Sequence, residues 1–151
     1  MNSEENNNLI EITRILEEHL LIQKNLLVHK PLSLEERQFI ANNIPSHCFY
    51  EGKAYRIFFN VDEPLEGPEN NCSWSSSKEG LDRFYKNSNT SDVNNYIIKE
   101  ADIYGIDINL LVEFLSKELP HFSISQVVLN ESEILSLELF NWNDSDYVLN
   151  L

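Results

Sequence analysis

Several things are scarce in this sequence, and each shortage excludes a class of protein. Two cysteines in 151 residues, Cys48 and Cys72, are too few for a disulfide framework and predict a reducing, intracellular setting. No apolar run approaches the roughly 20 residues that a membrane-spanning helix needs. The opening MNSEENNN has neither the basic start nor the apolar core of a signal peptide, so the expectation is a cytoplasmic protein with no membrane partner. The four histidines, His19, His29, His47 and His121, form no HExxH pair and there is no CxxC, so no metal site is predicted. A glycine-rich phosphate loop is also missing, as are internal repeats. Basic residues are few: 11 Lys and Arg stand against 25 Asp and Glu, for a formal net charge of −14. None follows Lys117, whereas Glu118, Glu131, Glu133, Glu138, Asp144 and Asp146 do. Such a field repels nucleic-acid backbones and favours basic partners. Plain solubility is the commoner cause of an acidic surface. The sharper alternative is an acidic, DNA-mimic-type inhibitor that binds a nucleic-acid enzyme without catalysis.

What is present reads as one α+β domain over 1–151, helical to about residue 45 and then mostly strand. Leu9 to about His29 has an amphipathic helical stripe in Leu9, Ile12, Leu16 and Leu20, widened by Ile15, Ile22 and Leu26 and broken by Pro31. Ser33 to Glu36 has capping-box spacing and opens a short helix to about Asn43, before Pro45. Ala54 to Val61 is rich in β-formers, with Arg56 alone at its centre. After a turn-rich loop comes Ser73-Trp74-Ser75, and then Ser77 as the cap of a helix to about Tyr85 with Leu81, Phe84 and Tyr85 inward. KNSNTSD reads as a polar linker, Tyr96 to Tyr104 as a strand, and Asp107 as the cap of a helix to about Leu119. Val127 to Leu129 and Ile134 to Leu139 read as final strands, with NESE near their junction.

Three polar elements interrupt segments that otherwise look like core. Arg56 lies in AYRIFF, the serines in CSWSSS, and Glu131 and Glu133 in LNESEILSL. Taken singly, each has a plain structural explanation: a solvent-facing strand position, a loop and cap, a solvated pair two apart on an extended segment and so pointing the same way. In this order, Tyr55-Arg56, then Ser73-Trp74-Ser75 leading to Leu81 and Phe84, then Glu131-Ser132-Glu133 leading to Ile134 and Leu135, they resemble the mono-ADP-ribosyltransferase family of the Arg–Ser–Glu type. The segment IIKEADIYGIDINLLVEFL resembles the strand and helix between that family's last two motifs. The resemblance spans roughly residues 50 to 140. It departs from the family at Ile57, where Gly often follows the Arg, and at Trp74, where a small residue is usual.

The resemblance implies an ADP-ribosyltransferase-like mixed β core over 46–151, carrying N-terminal helices. It implies NAD as substrate, cleaved between nicotinamide and ribose, with ADP-ribose passed to a protein target. No delivery domain is evident, so the expected place of action is the producing or infected cell. By the same resemblance, Glu133, Glu131 and Ser73 are the catalytic residues, and Arg56, Tyr55, Trp74 and Ser75 bind NAD. A carboxylate at Glu133 would accept from the ribose hydroxyl as oxocarbenium character develops. Ser73 would orient that carboxylate, and Arg56 would offer its forked donors to the diphosphate or ribose. Trp74 is expected to pack beneath or beside the nicotinamide. Glu131 would face the acceptor, for which the family pattern favours arginine. A guanidinium, with its pKa above about 12, needs a carboxylate to orient and activate it. The implied partner is therefore a protein with a basic or arginine-containing surface, not a nucleic acid.

Overall fold

Among the described residues, five strands and four α-helices form a mixed α+β structure in which every strand pair is antiparallel. The computed structural model describes residues 3–22, 32–59, 73–87, 96–120, 122, 131–138 and 146–148. In chain order the elements are α1 (Ser3–Ile22), α2 (Leu34–Ala41), β1 (Phe49–Phe59), β2 (Ser73–Ser75), α3 (Lys78–Asn87), β3 (Tyr96–Asp107), α4 (Ile108–Glu118), β4 (Glu133–Ser136) and β5 (Asp146–Val148). A 3-10 turn, Ser46–Cys48, leads into β1. Among the described residues no helix is long and apolar enough to cross a membrane.

The strands do more than line up. β1 pairs with β2, β2 with β4, β4 with β3, and β3 returns to β1 along its whole length, so four strands close a ring. β5 adds to the free edge of the first half of β3. Strand alternation then sorts the side chains into an inside and an outside. Ala54 and Phe58 of β1, Trp74 of β2, Ala101 and Ile103 of β3 and Ile134 of β4 form one buried cluster within the ring. The outward residues Ile106 and Leu135 pack under Leu9, Ile12, Ile15 and Leu16 of α1, Ile40 of α2, and Ile108, Leu111, Val112 and Leu115 of α4. On the other flank Leu81 of α3 covers Ile57 and Ile98. At about 1.5–3 kcal/mol for each fully buried aliphatic side chain, the helical layer is integral to the fold.

Local signals explain the helix starts. Ser33 and Glu36 make the reciprocal capping box: the Glu36 amide donates to Ser33 Oγ, and the Ser33 amide donates to Glu36 Oε1. The Gly80 amide donates to Ser77 Oγ, and the Leu110 amide to Asp107 Oδ1. Fully buried Arg37 of α2 reaches the far end of β4, where Nη1 donates to the Ser136 carbonyl, and so ties α2 to the sheet. Two glycines set close approaches. A Cβ at Gly105 would collide with the Leu135 carbonyl where β3 meets β4, and one at Gly80 would collide with the Glu131 carbonyl beneath α3.

The boundaries differ from expectation in instructive places. α1 begins at Ser3, ahead of the apolar stripe, and Asn8 Nδ2 donates to Asn43 Oδ1, which ties this polar first part of the helix to the end of α2. β1 begins at Phe49 rather than Ala54, since Phe49 to Lys53 pair in register with Asp102 to Ile106 despite a Glu and a Gly. β3 correspondingly runs on to Asp107. β4 includes Glu133, and β5 has no counterpart in the sequence reading. The expected helix continuation to His29, most of the polar linker, and the Val127 to Leu129 strand lie outside the described residues.

Candidate functional site

The three motif-bearing segments are neighbours. β1, β2 and β4 lie side by side, with Tyr55 opposite Ser75 and Ser75 opposite Glu133. Arg56, in the middle of β1, donates from Nη1 to the Ser73 carbonyl at 2.7 Å, and its guanidinium carbon stands 5.2 Å from the centre of the Phe58 ring. Its cross-strand partner is Lys99, so two cationic side chains leave the sheet on the same face, Lys99 almost wholly buried.

Glu133 and Arg56 do not share a face. Arg56 is in phase with Ala54 and Phe58, inside the ring, while Glu133 is in phase with outward Leu135, towards the helices. There it meets α1. His19 Nε2 lies 2.8 Å from Glu133 Oε2, with both residues 3% exposed. Against a carboxylate acceptor, Nε2 is the donor. The other carboxylate oxygen, Oε1, is buried and has no hydrogen-bond partner among the described residues.

Glu131 and Glu133 are not positioned by strand alternation, contrary to the extended-segment reading. Ser132 between them has a φ of 52°, in the left-handed region, so Glu131 sits in a turn and Glu133 opens the strand. Serines of the β2–α3 corner hold that turn. Ser75 Oγ donates to the Glu131 carbonyl at 2.9 Å, and the Ser76 amide donates to the Ser132 carbonyl at 3.0 Å. Ser76 Oγ also donates to the Ser132 carbonyl, at 3.4 Å. Thus Ser75, which the resemblance gives to NAD binding, and Ser76, to which it gives no role, clamp the carboxylate turn, and Ser77 caps α3.

The remaining sequence-derived residues fall as follows. Ser73 is registered with Leu135, one pleat repeat from Glu133, and its carbonyl takes the Arg56 bond. Trp74 is 2% exposed inside the ring, a core position that offers no open face to a ring-stacking ligand. Tyr55 is half-buried beside Ile57, Leu81 and Ile98, with Lys78 Nζ 5.8 Å from its ring centre. Sequence reasoning missed His19, because its only signal was a polar residue on the stripe formed by Ile12 and Leu16.

Burial, reinforced by Asp107 and Glu113, pushes the Cys48 thiol up to about 11, so Cys48 stays protonated at neutral pH. Among the described residues no group of three or more His, Cys, Asp or Glu side chains is arranged to hold a metal ion. Comparison with protein-family models, with curated proteins and with solved structures gives no match for this chain.

Proposed function

We propose that this protein is an NAD-dependent mono-ADP-ribosyltransferase on an ADP-ribosyltransferase-like core, with arginine the favoured acceptor on a protein target. The observation that carries the reading is the adjacency of β1, β2 and β4. The Arg, Ser and Glu motifs, separated by long stretches of sequence, lie on neighbouring strands. A buried carboxylate oxygen without a hydrogen-bond partner among the described residues is an acceptor that suits a ribose hydroxyl, whereas the Arg56 guanidinium lies two strands away on the opposite face and supports the reading only through its hold on the Ser73 carbonyl.

In this reading Glu133 accepts from the ribose 2-hydroxyl and stabilises positive charge at the ribosyl carbon as its bond to nicotinamide breaks. The electron pair of that bond leaves with nicotinamide. An acceptor guanidinium nitrogen forms the new bond and loses a proton to Glu131. Arg56, on the inward face of β1, holds the β2 end through the Ser73 carbonyl rather than meeting the diphosphate beside Glu133, Ser75 clamps the Glu131 turn, and Tyr55 and Trp74 support that end from either face. Water in place of the guanidinium gives NAD hydrolysis at the same site.

Burial of both Glu131 and Glu133 favours a second reading, in which these carboxylates are structural and the acidic surface binds a basic partner. One assay separates the two: release of free nicotinamide and labelling of lysate protein from labelled NAD, for wild type, Glu133→Gln and Glu131→Ala. We expect Glu133→Gln to lose about 100-fold or more of both activities. Glu131→Ala should lose protein labelling but keep slow nicotinamide release. Absence of nicotinamide release from the wild type supports the acidic-surface reading and defeats the enzyme.

A further inference from the structure

We infer that His19 is a positioning residue for Glu133: it occupies one carboxylate oxygen so that the other is presented to the substrate hydroxyl. This rests on the transferase reading above. A carboxylate beginning a strand, next to a residue in left-handed conformation, has freedom about its terminal torsion unless a neighbour fixes it. The family pattern assigns that task to a serine on the neighbouring strand. In this protein the serine directly opposite, Ser75, spends its hydroxyl on the Glu131 carbonyl instead, and Ser73 is registered with Leu135. The group that reaches the Glu133 carboxylate comes from 114 residues away in sequence, the imidazole of His19 at 2.8 Å.

The helix that carries His19 is firmly seated. Ile12 and Leu16 are 0% exposed, and position 19 continues their stripe at helical spacing. Asn8 adds a hydrogen bond to Asn43, at the end of α2. α1 therefore holds the imidazole at a defined place against β4, which is what orientation of a catalytic group requires. With Nε2–H on Oε2, the lone pairs of Oε1 have no hydrogen-bond partner among the described residues, and a ribose hydroxyl is the donor they lack.

The test compares wild type, His19→Leu and His19→Gln, using steady-state nicotinamide release, NAD affinity by calorimetry, and thermal melting. Leu fills much of the space without a donor, whereas Gln restores an N–H near the same reach. For His19→Leu the expected result is a loss of about tenfold or more in kcat, with KM and calorimetric NAD affinity within about threefold of wild type. For His19→Gln, kcat should recover to within about threefold of wild type. Equal slowing of both variants would assign His19 a purely structural role and overturn the inference. A Leu variant as fast as wild type, or faster, would overturn it too, the latter by making α1 a cover over the carboxylate. In both cases an active wild type leaves the transferase reading standing. A wild type that releases no nicotinamide defeats that reading and the positioning role together.

Discussion

Ser132 is the residue on which the geometry of the carboxylates turns. A φ of 52° is uncommon for a side chain larger than Gly, and it persists because three hydrogen bonds from Ser75 and Ser76 grip the carbonyls on either side. Gly80 completes the grip, since α3 lies too close to the Glu131 carbonyl for any Cβ. Gly80→Ala should therefore force α3 away from the turn. The overpacking cost of about 1–3 kcal/mol, set against a helix-propensity gain of about 1 kcal/mol, leaves an expected net loss of up to about 2 kcal/mol. Urea unfolding of the variant measures it, and an unchanged or raised midpoint would show that the helix yields freely. At this scale the sequence was only partly readable. Residue types and motif order stood out along the chain, whereas the left-handed turn and the His19 contact arise from partners 56 and 114 positions away, which no local pattern encodes.

Capping decides where elements begin, and Asp107 shows how such a cap responds to pH. It ends β3, accepts from the Leu110 amide at 3.2 Å and starts α4. Burial raises its pKa, opposed by the amides of Leu110 and Asn109. A raised carboxyl keeps its proton longer in the folded state than in the unfolded one. Its contribution to stability is thus fully present below the unfolded value of about 3.9 and is lost as pH rises through the folded value. Asp107→Asn keeps a good cap and removes the titration. Relative to wild type it should gain stability as pH rises from about 4 towards neutrality, whereas Asp107→Ala should lose about 1 kcal/mol through the lost cap. Chemical denaturation across that range would expose an error if Asn and Ala behaved alike. Caps of this kind are why Ser33, Ser77 and Asp107 marked helix starts in the sequence. The strand ends were harder to read: Glu51, Gly52 and Lys53 have little intrinsic β preference and are extended because β3 lies beside them.

For the molecule as a whole, charge is the dominant electrostatic fact. Among the described residues the surface ion pairs, Arg14 with Glu11 and Glu18, Lys53 with half-buried Glu100, Lys86 with Asp82 and Lys117 with Glu113, are open to solvent on at least one side and each contribute about 0–1 kcal/mol. Added salt weakens those few attractions but also screens the repulsion of a −14 chain. The second effect should win, so the melting temperature should rise between about 20 and 300 mM NaCl. A calorimetric series in which it falls would mean that the pairs outweigh the net charge. The four-strand ring has a further consequence, in the order of synthesis. β1 and β3 can pair as soon as both have left the ribosome, but the inner cluster needs Ile134 opposite Trp74, and β4 is made last of the four. Until then β2 and the later half of β3 present open edges of the kind that recruit other chains. The same residues that bring Glu133 to its place, Ile134 and Leu135, are thus the ones that end the nascent chain's exposure to aggregation.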